Sequence, residues 1–97
     1  MKLKETLNGN GEVFDNETNL GKISYKLNVY QEIHTVNNQE VEGLKSIMGN
    51  ITSEDAMRLF HKDELTLVLE DGRCIKFFVR NSNGEIRCSG GFFQKEN

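Results

Sequence analysis

The 97-residue sequence contains no proline and only two cysteines. Two cysteines are too few for a disulfide framework. Because proline is absent, no edge strand can use this residue to prevent pairing with another chain. No window approaches the roughly 18 consecutive apolar residues of a membrane-spanning helix, and residues 1–7 lack the apolar stretch of a secretory signal. These absences predict a cytoplasmic, soluble protein with no membrane partner.

The length and the net charge further restrict the domain organisation and the kinds of partner that we expect. Ninety-seven residues fit a single domain over residues 1–97, long enough to bury roughly 65% of the surface of the unfolded chain. The formal net charge is −3 and the isoelectric point is near 5.4. This balance disfavours a nucleic acid or an anionic membrane as partner, although a local basic patch can act against the global sign.

A β-hairpin over residues 65–80 is the strongest structural signal in the chain. A two-residue turn at Asp71-Gly72 would set Leu67 opposite Lys76 and leave a lysine in an apolar face, because opposed residues of an antiparallel pair point to the same side. A three-residue loop, Glu70-Asp71-Gly72, with Gly72 left-handed in a G1 bulge, avoids this. It predicts an apolar face of Leu65, Leu67, Leu69, Ile75, Phe77 and Val79.

The next turn carries the same alternation into the last strand. Asn81-Ser82-Asn83-Gly84 is a four-residue loop rich in turn formers, and closing it sets Val79 opposite Ile86 and Phe77 opposite Cys88. Gly90 and Phe92 continue this side of the strand. The sequence therefore predicts a three-stranded C-terminal meander with one apolar face, and Cys74 pointing to the side opposite Cys88.

The N-terminal half is predicted from alternation and turn residues. Residues 2–7 indicate a short edge strand that stops at Asn8-Gly9-Asn10-Gly11, and residues 12–15 would pair back as a second strand. Residues 21–35 have the longest period-two pattern, and at about 3.3 Å per residue this strand must bend or carry a bulge. Its apolar side holds Ile23, Tyr25, Leu27, Val29 and Ile33.

Residues 41–52 indicate a returning strand. Its apolar alternation shifts from Leu44 and Met48 to Ile47 and Ile51, which predicts a bulge near Gly49.

Only residues 53–62 show a helical pattern. A hydroxyl N-cap candidate at Thr52-Ser53 precedes Glu54 and Asp55, whose charges favour a helix N-terminus. So short a helix is marginal alone, and we expect its apolar stripe of Ala56, Leu59 and Phe60 to pack on an open end of the sheet.

These elements together predict an all-β fold with a minor helical part. Six to seven strands joined by short loops, with one short helix before the C-terminal meander, favour a small antiparallel barrel over its alternative, a two-sheet sandwich. The bulky apolar side chains predict a barrel filled by its own residues rather than by a ligand.

Residue types that carry chemistry are present without a recognisable motif. His34, His61, Cys74 and Cys88 could supply four zinc ligands, but no C-x-x-C or paired-histidine spacing occurs. No nucleophile elbow, Ser-x-x-Lys or phosphate-binding loop is found. We therefore expect no enzyme activity, no cofactor and no metal, although a site assembled from distant residues would leave no such pattern.

The outer face of the predicted meander is the candidate site, because it mixes apolar and cationic side chains. One interpretation is that the N-terminal strands or the helix cover Val68 and Phe78 as a second core layer. The other is a surface that binds an unidentified protein or a second copy of the chain in a homo-oligomer, since aromatic residues and arginine are frequent interface anchors. That surface comprises Lys76, Phe78, Arg80, Arg87 and Phe93.

A third hypothesis is a platform for single-stranded nucleic acid, on which aromatic side chains stack bases and cations contact phosphates. It requires separate strands to bring together Lys22, Lys26, Tyr30, Lys76, Phe78, Arg80 and Arg87. The acidic isoelectric point and the absence of an RNA-binding motif weigh against it. The sequence thus favours a non-enzymatic protein-interaction or accessory module, with nucleic-acid binding as the alternative.

Overall fold

The structure is a computed structural model that describes residues 2–94, apart from the side chains of Glu42 and Leu44. The elements are β1 (Lys2–Asp15), β2 (Thr18–Val36), β3 (Gln39–Ile51), α1 (Ser53–Leu59), β4 (Leu65–Val68), β5 (Arg73–Val79) and β6 (Glu85–Gln94). The strands close into a barrel in the order β1-β2-β3-β6-β5-β4, and every strand pair is antiparallel. The predicted all-β barrel is confirmed, and the sandwich alternative is wrong.

The β4–β5 hairpin has the predicted three-residue loop. Leu67 pairs with Ile75, whereas Lys76 pairs with Thr66. The N–H of Gly72 donates to the carbonyl oxygen of Leu69 at 3.0 Å, and Gly72 has a φ of 92°, as a G1 bulge requires. The lysine therefore points outward and the inner face of the hairpin is apolar.

The β5–β6 turn also has the predicted register. Val79 pairs with Ile86, and the side-chain oxygen of Asn81 accepts hydrogen bonds from the N–H groups of Asn83 and Glu85. Farther along, Lys76 pairs with Ser89 but Cys74 pairs with Phe93, so β6 contains two extra residues. A slip of two residues preserves the alternation of faces, and Phe92 accordingly packs against the core.

The barrel is filled by its own apolar side chains, among them Leu27, Leu67, Ile75, Phe77 and Ile86. Within the barrel, closing the sheet removes the inner face of the strands from water, which is the main stabilising contribution. The alternating residues of β2 from Ile23 to Val29 point into this core as predicted.

Helix α1 covers one end of the barrel. Thr52 is its N-cap, and its hydroxyl accepts a hydrogen bond from the N–H of Asp55 at 3.2 Å. Ala56 and Leu59 are buried in the barrel core. Phe60, expected in the same apolar stripe, is exposed. It is the C-cap that follows the last helical residue, and its ring meets the His61 ring edge-on.

The prediction of two short N-terminal strands is wrong. β1 runs without interruption through Asn8-Gly9-Asn10-Gly11 and pairs with β2 from Lys2 to Asp15. Gly11 lies beside the β1–β4 contact, where an added Cβ would collide with the carbonyl oxygen of Val68. The glycine thus permits close approach of two strands. Because the two predicted strands are one, the described chain has six strands.

The bulge predicted near Gly49 is also misplaced. Gly49 pairs in register with Leu27, and the β2–β3 register shifts instead between Gln31 and Ile33. The β1–β2 ladder has two further shifts. Of the three shifts, only the one between Val13 and Phe14 gives β2 an extra residue, Leu20, which lies just before the predicted strand of residues 21–35.

The three longest strands continue beyond the barrel as an arm, which we define as residues 2–6, 30–36 and 39–46. The molecule is accordingly elongated, at 48 × 33 × 22 Å. The arm ends in a two-residue turn in which Asn37 and Asn38 both have positive φ, the requirement of a type I′ hairpin. Among the described side chains of the arm, four apolar ones are exposed: Leu3, Ile33, Val36 and Val41.

Candidate interaction surface

All five predicted surface residues point outward from the C-terminal meander. Strand alternation places Lys76 and Phe78 on the outer face of β5, and Arg87 lies directly opposite Phe78 on β6. Phe78 is 40% exposed and Phe93 is 37% exposed. The second-layer interpretation is therefore wrong for Phe78. β1 joins the edge of β4 instead of lying across the meander.

The outer face is covered only toward one end of β5. Cys74 is fully buried there, and its neighbour across the strand pair, Val68, is half-buried. Phe93 lies opposite Cys74, on the far side of Lys76 from Phe78. The five residues thus form two groups, with Phe93 separated from the pair of Phe78 and Arg87.

The cations on this face differ in their partners. The guanidinium of Arg80 lies 3.6 Å from a carboxylate oxygen of Glu85. Neither Lys76 nor Arg87 forms an ion pair within residues 2–94. The carboxylate of Glu64 accepts a hydrogen bond from the hydroxyl of Ser89 at 2.8 Å. Lys76 and Arg87 are therefore the cations on this face that are available to a partner.

Met48 belongs to the same surface, and sequence reasoning missed it. It pairs with Arg87 across the β3–β6 contact and with Asn28 across the β2–β3 contact, so one row of side chains runs from Phe78 through Arg87 to Met48. The shifted alternation around Met48 was the available signal, but nothing local indicates that β3 lies beside β6. We call Lys76, Phe78, Arg87 and Met48 the Phe78 surface.

The structure brings some, but not all, of the seven residues of the nucleic-acid hypothesis together. Tyr30 lines one cavity with Met48 of the Phe78 surface. Lys22 lies opposite Glu12 on β1, in the row that continues to Val68 and away from Phe78. Lys26 lies between Asn8 and Asn50. Together with the Arg80–Glu85 ion pair, this arrangement leaves no continuous track of unpaired cations on the described surface.

The cysteines and histidines lie apart. Cys74 and Cys88 are free thiols on opposite faces of the sheet, and burial raises the pKa of the Cys88 thiol to about 12, so it is protonated at neutral pH. His34 lies 3.5 Å from Glu32 on the arm. Within the described residues, no three His, Cys, Asp or Glu side chains are grouped so that they could hold a metal ion.

Two further findings bear on the site. No helix in residues 2–94 has the length and apolar character needed to cross a membrane. Comparisons of the chain with family models, with curated proteins and with solved structures produced no match. The function of the Phe78 surface must therefore be inferred from its own chemistry.

Proposed function

We propose that this protein is a non-enzymatic binding module whose Phe78 surface holds a protein segment that carries carboxylates next to apolar side chains. One observation carries the proposal: Phe78 and Arg87 form a solvent-exposed cross-strand pair whose guanidinium has no carboxylate partner in the described chain.

The chemistry of the surface specifies this kind of partner. A partner that covers Phe78 removes apolar area from water, at about 25 cal/mol per Å². Arg87 can receive a carboxylate through two parallel N–H···O hydrogen bonds, and Lys76 offers a second positive charge. Met48 is a flexible apolar side chain that adapts to different shapes. Aromatic residues and arginine are also the most frequent anchors of protein interfaces.

The same surface is less suited to a nucleic-acid strand. A strand carries a phosphate at every nucleotide and binds best to a continuous cationic groove. Here Glu85 pairs with Arg80, and the carboxylate of Glu64 lies beside Ser89, so negative charge interrupts the face. These contacts favour a protein partner with a few discrete carboxylates.

Selection from a phage-displayed random peptide library tests the proposal. We expect enriched peptides that combine Asp or Glu with apolar residues. Phe78→Ser and Arg87→Glu should each weaken the selected peptides by about tenfold or more, as expected for interface anchors. Lys22→Glu makes the same charge change on another part of the barrel and is the matched control, with unchanged affinity.

Three other experimental outcomes would contradict the proposed peptide site. An empty selection, or peptides that bind both variants as tightly as wild type, would exclude the Phe78 surface as a peptide site. Light scattering that shows concentration-dependent dimers abolished by Phe78→Ser would identify a second copy of the chain as the occupant instead. Fluorescence anisotropy that shows tight, salt-sensitive oligonucleotide binding would favour nucleic acid.

A further inference from the structure

A cavity of about 370 Å³ lies on the outside of the barrel, beside the Phe78 surface, with which it shares Met48. Its volume falls within the range of about 300–1,000 Å³ that is typical of small-molecule sites. We call it the asparagine cavity, because amide side chains from two strands and from the β5–β6 turn line it. Its principal side chains are those of Asn28, Tyr30, Met48, Asn50, Asn83 and Glu85.

The charge of the asparagine cavity is nearly balanced. Among the described side chains that line it, only Glu85 is charged, and the guanidinium of Arg80 lies 3.6 Å from the carboxylate of Glu85. No described lysine or arginine lines the cavity, so it offers no cation to a phosphate or a carboxylate. The cavity therefore suits a ligand that is polar but uncharged.

Asn28 supplies hydrogen-bond donors on the β2 side of the cavity. Its Oδ1 accepts a hydrogen bond from the hydroxyl of Thr6 at 3.0 Å. This contact orients the amide and leaves both hydrogens of Nδ2 without a partner in the described chain. Asn50 on β3 adds an exposed amide that also has no side-chain hydrogen bond within residues 2–94. These two amides can donate to oxygen atoms of a ligand.

Glu85 supplies an acceptor directly opposite Asn50 on the neighbouring strand. Its Oε2 accepts a hydrogen bond from Nδ2 of Asn81 at 3.0 Å, and Asn81 is itself held by the N–H groups of Asn83 and Glu85. A carboxylate has about four acceptor positions, and this side chain is 47% exposed. The turn therefore holds a carboxylate in place with acceptor positions left for a ligand.

Tyr30 and Met48 add less polar surface between these groups. Both are half-buried at the cavity. The face of an aromatic ring is electronegative and attracts the weakly positive hydrogens of C–H groups, and methionine adapts its shape to what covers it. The ligand should therefore combine hydroxyl groups at its edge with a C–H face. A sugar ring has this combination, since each of its hydroxyls both donates and accepts.

We propose that the asparagine cavity binds a neutral saccharide, whose hydroxyls accept from Asn28 and Asn50 and donate to Glu85 while the C–H face of one ring covers Tyr30. This ligand differs in chemistry from the acidic protein segment proposed for the Phe78 surface. Met48 is the residue that the two sites have in common.

NMR of the isotope-labelled full chain tests the proposal. The probes are the neutral trisaccharides of glucose, galactose, mannose and N-acetylglucosamine, each added to about 10 mM so that millimolar dissociation constants are detected. We expect at least one of them to shift the side-chain amide signals of Asn28 and Asn50. Asn50→Ala should weaken that saccharide by about three- to tenfold, as expected for the loss of one hydrogen bond.

Asn8→Ala is the matched control. Asn8 is an exposed asparagine of β1 without a side-chain hydrogen bond in the described chain, and it does not line the cavity. Its replacement should leave the affinity unchanged. Equal weakening by Asn8→Ala and Asn50→Ala would overturn the proposed site.

Two substitutions of Tyr30 test the role of its ring. Tyr30→Phe keeps the aromatic face and should bind the saccharide as tightly as wild type does, whereas Tyr30→Ala should lose about three- to tenfold in affinity. Equal losses for the two variants would contradict contact with the ring.

Two further outcomes would also overturn the proposal. If none of the four trisaccharides shifts the signals of Asn28 and Asn50, the cavity does not bind neutral saccharides. If an oligothymidylate shifts the same signals more strongly than the trisaccharides do, a nucleic-acid strand is the occupant instead.

Discussion

The barrel and the arm are built from the same strands but are stabilised differently. Along β2, alternating residues from Ile23 to Val29 are buried within the barrel, whereas Ile33, which continues the same pattern, is 39% exposed in the arm. The alternation is the same in both parts. What differs is that the closed sheet and α1 surround the first set of side chains, so only those side chains are removed from water. Alternation alone therefore predicts a strand but not a core.

Gln31 marks the boundary between the two regions. It follows Val29 on the inner side of β2 and is only 3% exposed. Its Nε2 donates to the carbonyl oxygen of Gly43 at 2.6 Å, whereas its Oε1 is buried without a hydrogen-bond partner in the described chain. A buried polar atom without a partner is destabilising, so packing is already less favourable at this point than it is inside the barrel.

Replacement of one large apolar residue in each region should give the largest difference. Phe77 is fully buried, and Phe77→Ala should lower the free energy of unfolding by about 3–5 kcal/mol. Ile33→Ala should change it by no more than about 0.5 kcal/mol. Urea denaturation measures both values. Similar losses for the two variants would show that the arm contributes to stability as much as the barrel does.

A substitution at the β1–β4 contact, which closes the barrel, should give the next largest change in the free energy of unfolding. Gly11→Ala would push a Cβ against the carbonyl oxygen of Val68, and overpacking of this kind costs about 1–3 kcal/mol. Gly91→Ala is the matched control, because an added Cβ there would meet no atom within 4 Å. Urea denaturation of both variants tests whether β1 and β4 are in contact, and equal stabilities would contradict that contact.

Helix α1 covers one end of the barrel, so its N-cap should affect the barrel more than the arm. Thr52→Ala removes the hydroxyl that accepts the N–H of Asp55 and should cost about 1 kcal/mol. Ser53→Ala, one residue later, lacks this role and is the control. In amide hydrogen exchange, Thr52→Ala should accelerate exchange in β4 and β5 and leave the arm unchanged, and acceleration confined to the arm would contradict this placement.

The smallest effect concerns an ion pair at the base of the arm. Arg73 contacts Asp71 in the β4–β5 turn and Glu5 on β1. Its hydrogen bonds hold the pKa of Asp71 below the ordinary value of 3.8. A carboxyl whose pKa is lower in the folded state stabilises the fold above its unfolded-state pKa, and this contribution is lost as the pH falls through the folded-state pKa.

Asp71→Asn should therefore reduce stability near pH 7, by less than about 1 kcal/mol because the pair is half exposed. At about pH 2 the wild type and the variant should be more nearly equal. Urea denaturation at both pH values measures this, and the difference at neutral pH should shrink in high salt. A difference that grows toward acid pH would contradict the role of the carboxylate.

The turns, the strand registers and the helix start were predictable from the sequence, because each depends on residues that are close together in the chain. Gly72 and the Asn81–Gly84 turn set the pairing of β4, β5 and β6, because loop length and alternation together leave one register with an apolar face. The Phe78–Arg87 pair at the candidate site followed from the same reasoning. The helix start at Thr52 was also predictable, since capping depends on neighbouring residues.

Two kinds of prediction were wrong or incomplete. One kind depends on glycine, which occurs both in turns and where strands approach closely, and the other depends on strand pairs that are distant in the sequence. The glycines at positions 9 and 11 predict a turn, whereas in the structure Gly11 allows β1 to approach β4. Met48 was absent from the predicted surface because the β3–β6 pairing joins residues far apart in the chain.

By itself, the sequence determined the class of the fold, the registers of the C-terminal meander and which side chains of that meander face outward, because these depend on alternation and turn chemistry within a few residues. Only the tertiary structure decided that the sheet closes, that the core stops near Gln31 and that Phe78 remains exposed in one row with Arg87 and Met48. Burial depends on which strands pair once the sheet has closed. The sheet is closed by the pairing of β1 with β4 and of β3 with β6. These pairs join residues far apart in the sequence, so no local pattern predicts them.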